Sequence, residues 1–164
     1  MKQYWALIKR GKYSYYYEGD ELIFTFKLKS NPLSLGFSVD CFIYDTNNNE
    51  ILNFVQNNFI IGMKLKLLKQ SLPHTISIKR KNIDSYSIKV MEKEIYLKIT
   101  YISYLMKNFG EFFIDGKSYG KVIKGKKTMM ATDFEFIFYD NHKINYYCMI
   151  LFAMHTVDYN NVGY

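Results

Sequence analysis

Proline occurs twice in these 164 residues, cysteine twice and tryptophan once. No stretch rich in proline, glycine or serine interrupts the chain, so nothing divides it, and a single domain over 1–164 is expected. Cys41 and Cys148 are too few for a disulfide scaffold. Near the amino terminus, Trp5 to Ile8 is four apolar residues, short of the apolar core of a secretion signal. The expected setting is therefore a reducing cytoplasm with both thiols free. Long hydrophobic runs are missing as well. The longest, Tyr146 to Val157, has twelve residues and includes His155, against the ~20 that a membrane-spanning helix needs.

Enzyme signatures are equally scarce. The nine glycines are scattered, and Gly116, Gly120 and Gly125 fall in a basic hairpin rather than between a strand and a helix, where a phosphate loop would lie. Neither Cys-x-x-Cys nor His-Glu-x-x-His occurs, and His74, His142 and His155 show no metal-ligand spacing. One trio is worth weighing: Cys148, His155 and Asp158 share a helix face. Seven residues of helix separate the thiol from the imidazole by ~10.5 Å, far beyond the ~3 Å that a nucleophile and its base require. Cys148 thus reads as a core residue, and His155 with Asp158 as a helix end emerging into solvent. His142 beside Asp140 reads as turn chemistry. No catalytic residue, metal ligand or cofactor is expected.

What the sequence does contain is β-forming apolar residues. It is 49% hydrophobic, with 16 Tyr and 13 Phe, which suit a pleated surface better than a helix. Period-2 alternation recurs: Leu22, Phe24, Phe26 and Leu28; Met63, Leu65 and Leu67; Tyr86, Ile88 and Val90; Ile95, Leu97 and Ile99; Phe134, Phe136 and Phe138. One apolar face per strand is the mark of an antiparallel sheet. An apolar strand, an Asp-containing turn and a second apolar strand recur three times, at Phe42 to Leu52, at Phe112 to Ile123, and at Phe136 to Ile144. Asp-Gly and Asn-rich turns close tight hairpins. The aromatic run Tyr13-Ser14-Tyr15-Tyr16-Tyr17 offers rings to bases or to a lipid interface, but fits better as an edge strand with cross-strand aromatic pairs. A meander of short strands must shield its edges, and closure into a barrel does so.

The last apolar segment breaks the alternation. Residues 146–157 are apolar on every side and include Ala153, Met149 and Met154, better helix formers than the residues before them. A helix apolar all round is buried all round, and at ~18 Å it matches the height of a small barrel. A buried strand pair over Ile144 to Phe152 is the competing assignment.

Charge is uneven. The net charge is +7. From Phe59 to Asn82 the charged residues are Lys64, Lys66, Lys69, Lys79, Arg80 and Lys81, with no acid; from Gly116 to Met130 they are Lys117, Lys121, Lys124, Lys126 and Lys127, again with no acid. From Ala131 onward Lys143 faces Asp133, Glu135, Asp140 and Asp158. Such windows suit an anionic partner; two solvated hairpins that carry lysines are the plainer explanation.

Asp-turn hairpins around a hydrophobic C-terminal helix resemble the tubby-like C-terminal domain superfamily, which takes in the LURP-one-related proteins and the phospholipid scramblases. The resemblance runs from Glu21 to Asp158 and is carried by Phe42-Ile43-Tyr44-Asp45, by Glu111-Phe112-Phe113-Ile114-Asp115-Gly116, and by Phe138-Tyr139-Asp140 followed by Ile150 to Met154. It implies a closed, mainly β, antiparallel barrel of about twelve strands around a buried hydrophobic helix. In some members it implies binding of anionic lipids through basic residues on the wall. No lipid-site residue carries over position by position.

The leading expectation is a non-catalytic module docking on phospholipid headgroups at the cytoplasmic membrane face, through Lys64, Lys66, Lys79, Arg80, Lys81, Lys121, Lys124, Lys126 and Lys127. With Arg10 and Arg80 the only guanidinium groups, phosphate would be held by point charge. The alternatives are an acidic protein surface or, less favoured, nucleic acid engaging the same lysines, and a small-molecule pocket at a barrel mouth. Docking requires that the two lysine windows converge.

Overall fold

The computed structural model describes residues 3–9, 13–30, 38–59, 62–82, 85–99, 107–128, 130–140 and 142–157; of residues 30, 58, 59, 62 and 63 it describes the backbone alone. Twelve antiparallel strands form one sheet that curls into a nearly closed barrel, with a single helix after them. In chain order the strands are β1 (Tyr4–Lys9), β2 (Ser14–Glu18), β3 (Glu21–Ser30), β4 (Ser38–Tyr44), β5 (Glu50–Phe59) and β6 (Gly62–Gln70). There follow β7 (Ser77–Arg80), β8 (Tyr86–Val90), β9 (Lys93–Ile99), β10 (Asn108–Ile114), β11 (Lys117–Lys127) and β12 (Ala131–Phe138), and then α1 (Ile144–His155).

Apart from β6 and β7, each strand pairs with its neighbours in sequence, and β1 also pairs with β12, from Tyr4↔Phe136 to Lys9↔Ala131. The interruption in the ring lies mid-chain, between β6 and β7. Because every pairing is antiparallel, turns alternate between two ends. The turns after β2, β4, β6, β8, β10 and β12 lie at the end where α1 begins, called here the entry end. Those after the odd-numbered strands lie at the far end, where α1 finishes. Bulges after Tyr16, Ile43, Asn53, Phe112 and Lys124 supply the local twist that closure needs.

The alternation read from the sequence maps onto this wall. Phe24, Phe26, Ile88, Ile95, Leu97, Phe134 and Phe136 face inward and are buried, whereas Leu65 and Leu67 on β6 are only partly covered. The lumen of twelve strands is too wide for wall side chains to fill, and α1 fills it. From Tyr147 to Met154 every residue of the helix is buried. Phe152 is the hub, with Phe134, Phe136 and Phe109 edge-on to it at 5.0, 4.9 and 5.6 Å.

Both helix ends are tied to the wall. At the start, the His142 ring Nδ1 accepts from the Ile144 N–H at 3.2 Å. The buried Asn145 donates to the Asp140 carbonyl at 3.0 Å and accepts from the Tyr119 hydroxyl at 2.7 Å. At the finish, Thr156 Oγ1 donates to the Ala153 carbonyl at 3.0 Å. These caps set the helix at Ile144–His155 rather than 146–157 and exclude the strand-pair assignment.

Three further expectations are corrected. The third Asp-turn copy is not a hairpin: after Asp140 the chain enters the helix, so Ile144 opens α1. The tyrosine-rich strand is not an edge, since β2 lies between β1 and β3; its aromatic pairs are real, with Trp5 stacked on Tyr17 at 4.0 Å and Tyr16 on Phe24 at 4.3 Å. His155 does not emerge into solvent, because its Nε2 is buried and its Nδ1 lies 2.9 Å from the Leu151 carbonyl. Asp158 falls outside the described residues.

Candidate anion-docking site

The alternation of turns decides where the cations lie. β6 starts at the far end, so Lys64 and Lys66 stand in its far half, and β7 runs toward that end through Lys79, Arg80 and Lys81. β11 runs from the entry end, which puts Lys117 at its beginning, Lys121 midway, and Lys124, Lys126 and Lys127 at the far end. The two windows are not on one side of the wall, since β8, β9 and β10 stand between β7 and β11. Nor do they meet at one end: the registers Lys79↔Ser87, Ser87↔Tyr96, Tyr96↔Phe113 and Phe113↔Ser118 set Lys79 in line with the start of β11, whereas Lys124, Lys126 and Lys127 lie at its far end.

That end gathers further cations from strands outside either window. Lys9 closes β1, Lys29 lies near the end of β3, Lys98 near the end of β9, and Lys107 just before β10. Among the described residues, the acids near them include Asp40 on β4, opposite Lys29, Glu111 on β10, opposite Lys98, and Asp133 and Glu135 on β12. The acids concentrate at the entry end: Glu18, Asp20 and Glu21 about the β2–β3 turn, Asp45 and Glu50 about the β4–β5 turn, Glu92 and Glu94, then Asp115 and Asp140. Lysines at that end are partly engaged, Lys69 with Glu50 at 3.4 Å and Lys89 with Glu92 at 2.8 Å.

The side-chain chemistry of the cations is not uniform. Lys64, Lys66, Lys79, Lys126 and Lys127 are exposed. Lys81 is paired with Glu94 at 2.6 Å, and the Arg80 Nε donates to the Asn82 carbonyl at 3.0 Å. Lys124 differs from all of these. It stands opposite Phe134 in the β11–β12 register, and cross-strand partners share a face, so its stem points toward the lumen. Burial holds its ammonium below the ordinary lysine range, and the neighbouring charge of Lys127 pushes the same way. Two ammonium groups that raise each other's energy gain from an anion placed between them.

No cluster of metal-ligating side chains occurs among the described residues, and the three histidines lie apart: His74 in the β6–β7 turn, His142 at the helix cap, His155 at the helix finish. Cys148 is buried outside any disulfide, and burial pushes its thiol up; Cys41 is also buried and forms no disulfide among the described residues. A cleft of about 580 Å³ opens at the entry end between the β6–β7 turn and the Met91-Glu92 turn. A second, of about 390 Å³, lies on the outer wall around Tyr96 and Phe113, with Lys81 and Lys98 at its edge.

The missed cations are Lys9, Lys29, Lys98 and Lys107; Lys9 lies in a further acid-free stretch with Lys2, Arg10 and Lys12 before Glu18, and the others lie in sparser runs. The signal that finds them is strand parity, the end of the barrel on which each charge falls. No family model, curated protein or solved structure matches this chain. No helix is long and apolar enough to cross a membrane among the described residues.

Proposed function

We propose that this protein is a non-catalytic binding module that docks its far end on an anionic surface, the phospholipid headgroups of a cytoplasmic membrane face. The single observation that carries the reading is the cation cluster at the far end, where Lys126 and Lys127 stand exposed on β11 beside Lys124, and the registers Lys9↔Ala131 and Lys127↔Thr132 bring Lys9 of β1 alongside across β12. Each lysine near an anionic leaflet contributes about 1 kcal/mol, so four such residues suffice for reversible attachment. The acids about the β2–β3 and β4–β5 turns disfavour approach by the entry end. A twelve-stranded wall around a central helix is, in addition, the architecture that a tubby-like resemblance implies, and lipid docking is a role found among such barrels.

Sedimentation with vesicles tests the reading. Vesicles containing anionic lipid are expected to carry the protein down, less so as salt rises, and neutral vesicles to leave it in solution. Charge reversal at Lys9, Lys126 and Lys127 should abolish binding, while reversal at Lys69, Lys93 and Lys117 on the entry end should leave it intact. Equal sedimentation with neutral and anionic vesicles would refute docking, as would salt-sensitive retention on nucleic acid without any on lipid.

A further inference from the structure

The ring of strands is not closed by a ladder. Between β6 and β7 the backbone pairing stops, and side chains do its work. The Gln70 carboxamide accepts from the Ile76 N–H at 2.7 Å and donates to the Ile76 carbonyl at 3.1 Å, which imitates a strand residue. Toward the far end, the Leu65 N–H donates to the Tyr86 hydroxyl at 3.2 Å, across the seam from β8. Between these two clasps lies a strand edge. The Leu65 N–H points into the seam, and strand periodicity turns the main chain of Leu67 the same way. Leu65 and Leu67 are also the inward residues left half covered, as is Ile78 on β7. At the entry end the seam opens directly into the 580 Å³ cleft, whose lining includes Gln70, Ile76 and Ser77.

An uncovered strand edge is a template for another strand. The side chains flanking this one specify which strand it takes. The outward residues of β6 are Lys64 and Lys66, and across the seam stands Lys79. The inward residues are Leu65, Leu67 and Ile78. A strand laid between them would set its outward side chains beside lysines and its inward ones over leucine and isoleucine, and cross-strand pairs of opposite charge stabilise a sheet. We propose that the β6–β7 seam is a strand-acceptor site for an extended peptide that alternates acidic and apolar residues. Entry separates β6 from β7 by one strand spacing, about 4.8 Å, and exchanges the Gln70 and Tyr86 clasps for ladder hydrogen bonds on both sides. Lys66 and Lys79 thus serve the peptide, whereas membrane docking rests on the far-end lysines of β1 and β11.

A fluorescent, end-capped nine-residue peptide of alternating Glu and Val tests the site by anisotropy. It is expected to bind saturably. The same peptide with a central proline, which cannot donate to a ladder, should bind about tenfold more weakly, the equivalent of one or two hydrogen bonds. A Lys/Val peptide should not bind. The surface variant K66E/K79E should weaken the Glu/Val peptide by a similar factor, and Gln70→Ala, which removes one clasp, should strengthen it. In hydrogen exchange the Leu65 and Leu67 amides should gain protection in the complex. The inference is overturned if the Glu/Val peptide does not bind, if the proline peptide binds equally well, or if those two amides gain nothing on binding. Vesicle docking is indifferent to the proline, so its failure and the failure of the seam are separate results.

Discussion

The joint between β1 and β12 and the seam between β6 and β7 close the same ring of strands with different chemistry. The joint is a backbone ladder from Tyr4↔Phe136 to Lys9↔Ala131, backed by Phe134 and Phe136 against Phe152 of the helix. The seam is bridged by the Gln70 amide and the Tyr86 hydroxyl, over inward leucines that stay partly exposed. Where main-chain groups pair with main-chain groups, the wall and the core reinforce each other. Where side chains substitute, the wall has a local opening free energy well below the global one. Lys64, Lys66 and Lys79 along the seam also keep such an edge from pairing with other chains.

The contrast is open to test, from the largest expected effect to the smallest. Phe134→Ala, behind the joint, should cost about 3–5 kcal/mol in denaturant unfolding, while Leu65→Ala at the seam should cost less than half as much. Equal losses would mean that the seam is packed as tightly as the joint. Gly120 on β11 lies so close to β12 that an added Cβ would fall 2.7 Å from the Ile137 carbonyl oxygen and 2.8 Å from the Phe138 ring. Gly120→Ala should therefore cost about 1–3 kcal/mol, and Gly125→Ala, with 3.3 Å to the Asp133 Cβ, distinctly less. Gln70→Ala should remove about 1–2 kcal/mol. Its signature is regional, with faster amide exchange at Leu65 and Ile76 and unchanged exchange along β1 and β12.

Two smaller effects concern the turns. Met91 and Glu92, beside the seam cleft, both hold positive φ, at 48° and 58°, a conformation that side chains with a Cβ disfavour. Glu92→Gly should raise stability by about 0.5–1 kcal/mol in thermal unfolding, because the Lys89–Glu92 pair it removes is on the surface. Asp45 accepts from the Asn49 side chain, the Asn49 N–H and the Asn47 N–H, which together hold its carboxyl below the ordinary aspartate range. A depressed folded value means that this support is complete above the ordinary range and disappears as pH falls through the depressed one. Asp45→Asn should therefore differ most from the parent near neutrality and converge with it in acid, as followed by unfolding midpoints across pH.

The strands were legible because one buried face imposes alternation, and the helix because Tyr146 to Val157 has none. Partnership between strands was not. A run such as Tyr13 to Tyr17 looks the same at an edge or between two neighbours, since the aromatic pairs that stabilise it occur in both places, and it lies inside the sheet. Likewise Asp140 announces a turn without declaring whether a strand or a helix follows. Charge was misleading for a related reason. Contiguous windows join Lys117 to Lys127, which stand at opposite ends of β11, and omit Lys98 and Lys107, which share an end with Lys127. In an antiparallel meander the neighbours of a turn are the turns two strands away. That arithmetic is available to a reader only once the strands have been counted.

The position of α1 after all twelve strands has a consequence for how the chain acquires its shape. During synthesis the inward faces bearing Phe24, Phe26, Phe54 and Phe112 exist before the residues that cover them, and the first strand waits for the last to pair. Contacts between such distant parts of a chain form slowly, and an uncapped, greasy half-cylinder is an aggregation-prone intermediate. Assembly is thus expected to wait for the final segment and then complete together, with a ribosome-stalled chain ending before Ile144 captured by chaperones rather than folded.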